Sequence, residues 1–149
     1  MPHVVLTGDV SIEKLEGAFH PLREEKDEWL IKIEELYVER GRRCALLPVV
    51  VVEEGHPQSF YIRLSQNEGK QRLTVRLDPS TDPIKTRGVK RSVALVAETF
   101  LALSASAKVV RHNLEGYLRK PSGPSSGPSA DFGSGNQALE GNQRVPRAK

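Results

Sequence analysis

Apolar and polar residues alternate with period two through much of residues 3–77, then recur with helical spacing over residues 84–104. "HVVLTGDV" at 3–10 reads as a short strand. Ser11 follows as a candidate N-cap, and Ile12, Leu15 and Phe19 mark a short amphipathic helix that Pro21 stops.

Residues 28–39 fit two elements. As a helix, "EEKDEWLIKIEELYVERGRR" has acids first, arginines last, Gly41 after its end, and Trp29, Ile33, Leu36 and Tyr37 on one face. As a strand, Trp29, Ile31 and Ile33 alternate, a bulge falls near Glu34–Glu35, and "ERGR" turns the chain into "CALLPVVVVEE". The strand is the preferred reading, because a helix leaves Ile31 and Val38 off the buried face.

"QSFYIRLSQ" and "QRLTVRL" form the next hairpin. Side chains alternate between faces, so apolar residues must pair with apolar ones. A four-residue loop, Asn67 to Lys70, satisfies this by pairing Leu64 with Leu73, Ile62 with Val75 and Phe60 with Leu77, whereas a three-residue loop sets Leu64 against Arg72. On the other face this register puts Tyr61 opposite Arg76, Arg63 opposite Thr74 and Ser65 opposite Arg72.

"LDPSTDP" ends the sheet, and a helix follows that starts at Pro83 or Thr86, with Asp82 as its candidate cap. Val89, Val93, Val96, Phe100 and Leu103 form its apolar stripe. "AKVVRHNLEGYL" reads either as a strand leading into a short helix or as one frayed helix, with Val110, Leu114 and Leu118 docking on the core. The expected fold is α+β: an antiparallel β-meander of four to five strands, one long C-terminal helix packed on one face, and a short N-terminal helix. It occupies residues 1–119, and the Pro/Gly/Ser-rich residues 120–149 are expected to be a disordered tail.

Charge adds an asymmetry to this picture. Residues 1–69 hold 8 Lys and Arg against 13 Asp and Glu, and residues 70–149 hold 14 against 6. Within residues 72–91 stand Arg72, Arg76, Lys85, Arg87, Lys90 and Arg91 with only Asp78 and Asp82 among them. In the layout above, Arg72 and Arg76 share the uncovered sheet face with Tyr61 and Arg63, and the other four cations crowd a helix start. The helix dipole already places positive charge there, so four cations at that end imply an anion.

Two binding readings follow. In the first, these eight residues hold single-stranded nucleic acid or RNA, with Tyr61 stacking on a base and the cations on phosphates. In the second, the partner is a protein, a second copy whose acidic surface meets the basic one; if instead the arginines pair with Glu53 and Glu54, or with Glu34, Glu35 and Glu39, the face is a solvated surface with no ligand. Val49 to Val52 is apolar on both faces, which a strand covered on both sides explains, as does a sheet that meets a second copy.

Chemistry beyond binding finds little support. "TRGVKRS" lacks the glycine spacing and the Gly-Lys-Ser/Thr ending of a phosphate loop, and GxSxG, HExxH and GxGxxG are absent. His3, His20, His56 and His112 lie far apart, and the turn "EEGHP" explains His56 without a metal. No convergence of Asp9, His20 and His56 on an active site is selected over any other set, so an enzyme without a recognisable motif is the third reading. No cofactor, metal or catalytic residue is expected.

Cys44 is the single cysteine, which excludes an intrachain disulfide and fits a reducing cytoplasm, where an inert thiol is the ordinary case. No signal-like segment opens the chain, and the run at 49–52 is far shorter than a membrane span. The expectation is a cytoplasmic, non-catalytic binding or interaction module that self-associates through its sheet, partnered by protein or by nucleic acid and not by membrane.

Overall fold

The computed structural model describes residues 1–67, 69 and 71–119. The tail expected at 120–149 lies outside the described residues. Ten elements run in the order β1 (His3–Thr7), α1 (Ile12–Ala18), β2 (Leu22–Glu25), β3 (Leu30–Ile33), β4 (Tyr37–Val38), β5 (Cys44–Glu53), β6 (His56–Asn67), β7 (Arg72–Leu77), α2 (Arg87–Leu103) and β8 (Lys108–His112). The strands form one antiparallel sheet ordered β2-β3-β5-β6-β7-β1-β8, with β4 also on β5. It curls as a half-barrel, and α2 touches β1, β3, β5 and β7. The fold is therefore α+β, with one sheet face covered by helix.

Alternation decides which side chains meet α2. Leu47, Val49 and Val51 on β5, Ile62 and Leu64 on β6, and Leu73 and Val75 on β7 are at most 1% exposed. They pack with Val89, Val93, Val96 and Phe100, the stripe the spacing predicts. Truncating a side chain such as Phe100 to alanine in such a core costs about 3–5 kcal/mol. Ser11 caps α1 as expected, its Oγ accepting the Lys14 N–H at 3.0 Å.

Residues 30–33 and 37–38 are strand, not helix. Ile33 pairs with Val49 and Tyr37 with Leu46, so residues 34–36 face only Leu47 and Pro48 and form the expected bulge. Pro48, which cannot donate to a ladder, sits where the bulge interrupts pairing on one side of β5.

Several expectations need correction. The sheet has eight strands, not four or five, because β1 inserts between β7 and β8, and β2 adds an outer strand beside β3. These pairings join segments distant in sequence or too short and polar to announce themselves. The β6–β7 register is displaced by two residues: Leu64 faces Val75, Ile62 faces Leu77, and Asn67 faces Arg72. A slip of two keeps every side chain on its face, so alternation cannot detect it. The turn backbone decides instead, with Gly69 at φ 83° and Gln71 at φ 49°, both left-handed.

α2 begins at Arg87 with Thr86, not Asp82, as its cap, the Thr86 Oγ1 accepting the Val89 N–H at 3.3 Å. The segment after α2 is a strand, and a register shift between Val5 and Leu6 brings Val109 to Leu6 and leaves Val110 47% exposed. Leu114 does reach the core.

Candidate functional site: the open face of the sheet

The eight residues singled out from the sequence separate into two groups. Lys85, Arg87, Lys90 and Arg91 gather around the start of α2, and each has a partner within the protein. Lys85 Nζ lies 3.1 Å from Asp82, and Arg87 Nη1 lies 3.0 Å from Glu28 with its guanidinium 5.9 Å from the centre of the Trp29 ring. Lys90 Nζ lies 5.8 Å from the Tyr117 ring centre.

Arg91 is 2% exposed. Its Nε and Nη2 donate to Glu24 at 2.9 and 3.0 Å, and its Nη1 and Nη2 donate to Glu98 at 2.6 and 3.0 Å. Nη1 also donates to the Tyr117 carbonyl at 2.7 Å. A guanidinium has five N–H groups, so Arg91 has none left for a ligand. Burial opposes its charge, but the hydrogen bonds to Glu24 and then Glu98 outweigh that and raise its pKa. Glu24 responds in the opposite sense: the Arg91 hydrogen bonds hold its carboxyl below the ordinary range against the upward push of burial, helped by the Trp29 Nε1–H at 3.0 Å.

The anion implied at the helix start belongs to the protein itself. Glu53, from β5, accepts the Gly88 N–H at 3.0 Å and bonds the Thr86 hydroxyl through its other oxygen. Asp27, Glu28, Glu53, Glu54 and Arg87 line a cleft of about 400 Å³ beside this end of α2. Four carboxylates against one paired guanidinium make this cleft unfavourable to a phosphate.

Tyr61, Arg63, Arg72 and Arg76 are brought together on the face away from α2. The corrected register places Arg63 directly opposite Arg76, and Arg76 opposite His3 on β1. Arg63 Nη1 stands 3.6 Å from the buried Asp78 carboxylate, while its Nε is buried without a hydrogen-bond partner. Arg72 and Arg76 have no ion pair among the described residues. Tyr61 is 38% exposed.

Two further cations join them. Lys108 pairs with Thr7 and Arg111 with Val5, and those two β1 residues pair with Arg72 and Thr74, so β8 extends the same outward surface. Sequence reasoning missed both, because only β8's place beside β1 puts them there. β6, β7, β1 and β8 together contain no Asp or Glu. Five outward cations thus stand on four strands with no acid in them.

The rest of this face differs. Leu30, Leu46, Pro48, Val50 and Val52 on β3 and β5 point away from α2, and none belongs to the core. Val50 is 37% exposed, and Leu30, Leu46, Pro48 and Val52 are partly exposed. β5 is therefore not enclosed on both faces.

The described residues contain no cluster of three or more His, Cys, Asp or Glu arranged to hold a metal ion. Among them, no helix is long and apolar enough to cross a membrane. Compared with protein-family models, curated proteins and solved structures, the chain matches none.

Proposed function

We propose that this protein is a non-catalytic binding module that holds single-stranded nucleic acid across the open face of β6, β7, β1 and β8. The observation that carries this reading is the placement of Arg63 directly across from Arg76 on strands that contain no acid. Like charges opposite each other on a sheet destabilise it by a few tenths of a kcal/mol or more, roughly as much as an opposite pair contributes. A phosphate backbone removes the part of that cost that Asp78, 3.6 Å from Arg63 Nη1, leaves uncompensated.

Arg72, Lys108 and Arg111 extend the track, and the half-exposed Tyr61 ring offers a stacking surface at its border with the apolar strands. Stacking and phosphate contacts together suit an unpaired strand, whose bases are free to turn toward the sheet. Lys85, Arg87, Lys90 and Arg91 take no part in this reading, being engaged elsewhere.

The experiment is binding of a labelled mixed-sequence single strand by the full chain across a salt series. Binding should weaken with salt, with a slope of about −0.7 in log K per log salt for each phosphate contact. The Arg63→Gln/Arg76→Gln variant should lose roughly two contacts' worth of that slope. Undetectable binding at low salt, or a slope unchanged in the variant, rejects the site.

A further inference from the structure

We infer that the apolar part of the open face, on β3 and β5, is a homotypic contact through which two copies of this chain associate. The β3–β5 region borders the cationic track, Leu46 pairing with Arg63 and Pro48 with Tyr61, but the inference does not rest on nucleic-acid binding.

Alternation with a single covered face predicts polar residues at the outward positions of β5. They are instead Cys44, Leu46, Pro48, Val50 and Val52. Val50 is 37% exposed, and Tyr37, paired with Leu46 on the same face, is 56% exposed. At the bulge, Lys32, Glu34, Glu35, Pro48 and Val50 enclose a shallow hollow of about 170 Å³.

The charges around this hollow choose the occupant. Lys32 lies in register with Val50, while Glu34 and Glu35 lie in the adjoining bulge, between the Ile33–Val49 and Tyr37–Leu46 pairs, and line the hollow with Pro48. A two-fold axis in the contact plane, running across the strands between these two rows, exchanges them. It sets Lys32 of each copy over Glu34 and Glu35 of the other, and Val50 of each over Pro48 of the other. Self-complementarity of this kind is what an isologous contact requires. Within one copy the charges are only loosely satisfied: Lys32 Nζ is 3.9 Å from Glu34, and Glu35 has no ion pair among the described residues. The two carboxylates also make this part of the face a poor seat for an anionic polymer.

The test is sedimentation equilibrium of the full chain over a wide concentration range. Mass should rise from monomer toward dimer. Val50→Asp should weaken association on the order of a hundredfold, because the new carboxylate would be buried against an apolar surface. Its circular dichroism should be unchanged, since the side chain is outside the core. Lys32→Glu and Glu35→Lys should each weaken the dimer several-fold, and the double variant should recover most of the loss. A strict monomer at the highest concentration overturns the inference and assigns the patch to a different protein. A dimer untouched by Val50→Asp also overturns it, by placing the contact elsewhere. Nucleic-acid binding is read at concentrations where the chain is monomeric, because Pro48 and Leu46 pair with Tyr61 and Arg63 and a dimer would cover them.

Discussion

The Glu53 carboxylate accepts the Gly88 N–H at 3.0 Å, so a strand residue caps the helix that packs across its sheet. That single contact neutralises a helix start surrounded by cations and ties β5 to α2. Gly88 is what lets it form, because a Cβ there would lie 2.7 Å from Val51 Cγ1 and 2.9 Å from Glu53 Cδ.

Gly88→Ala should therefore destabilise the protein by about 1–3 kcal/mol, although alanine is the better helix former. Glu53→Ala should cost about 1–2 kcal/mol through loss of the cap. Urea unfolding of both variants checks this; a Gly88→Ala variant more stable than wild type would mean that α2 and β5 do not approach so closely.

Arg91 is the second tie, joining α2 to the outer strand β2 through Glu24. Arg91→Met should cost about 3 kcal/mol, because it leaves two shielded carboxylates facing each other with Arg119 and the Trp29 N–H left to compensate them. Replacing Arg91, Glu24 and Glu98 together with apolar residues of similar size should cost far less. Thermal unfolding of the single and triple variants measures the difference.

The lowered pKa of Glu24 gives a pH dependence of known sign. Its folded value lies below its ordinary value near 4.5, so its contribution to stability is complete above that value and is lost as pH falls through the folded value. Melting temperature should decline below about pH 5 in wild type, and less steeply in Glu24→Gln, whose side chain does not titrate. Parallel curves for the two proteins would show that Glu24 is not the group responsible.

The facing arginines should separate stability from binding. Arg76→Gln removes a like-charge pair, so it should stabilise the free protein by roughly 0.2–1 kcal/mol while weakening single-strand binding. Denaturant unfolding and a binding titration on one preparation report both. A variant that loses stability as well as affinity would assign Arg76 a structural role.

Lys108 and Arg111 provide a test of the surface as assembled. Lys108→Gln/Arg111→Gln should reduce the salt slope by about one and a half units for two contacts. Lys85→Gln, at the capped helix start, should leave it unchanged. Tyr61→Ala should weaken binding by about 1–3 kcal/mol with the slope unaltered, since stacking releases no counterions.

Much of this was legible along the chain. Val89, Val93, Val96 and Phe100 announce the covering helix, Ser11 its smaller companion, and Trp29, Ile31 and Ile33 a strand with a bulge behind it. Four of the six residues of the candidate site were legible as well: alternation alone puts Tyr61, Arg63, Arg72 and Arg76 on the face away from the core. The cationic helix start misled, because Glu53 lies 35 residues before Gly88 and no local pattern connects them.

The sequence by itself determined which face most side chains of β5, β6, β7 and α2 take, because alternation and helical spacing are local properties, but not the burial of Arg91 or the exposure of Val110. It also determined that β6, β7, β1 and β8 carry no acid. Only the tertiary structure decided what stands beside what. A two-residue slip in the hairpin preserves every buried position yet moves Arg63 from Thr74 to Arg76, and the pairing of β8 with β1 adds Lys108 and Arg111 to the same surface. Register and strand order depend on turn backbone and on pairings distant in sequence, which hydrophobic periodicity does not encode.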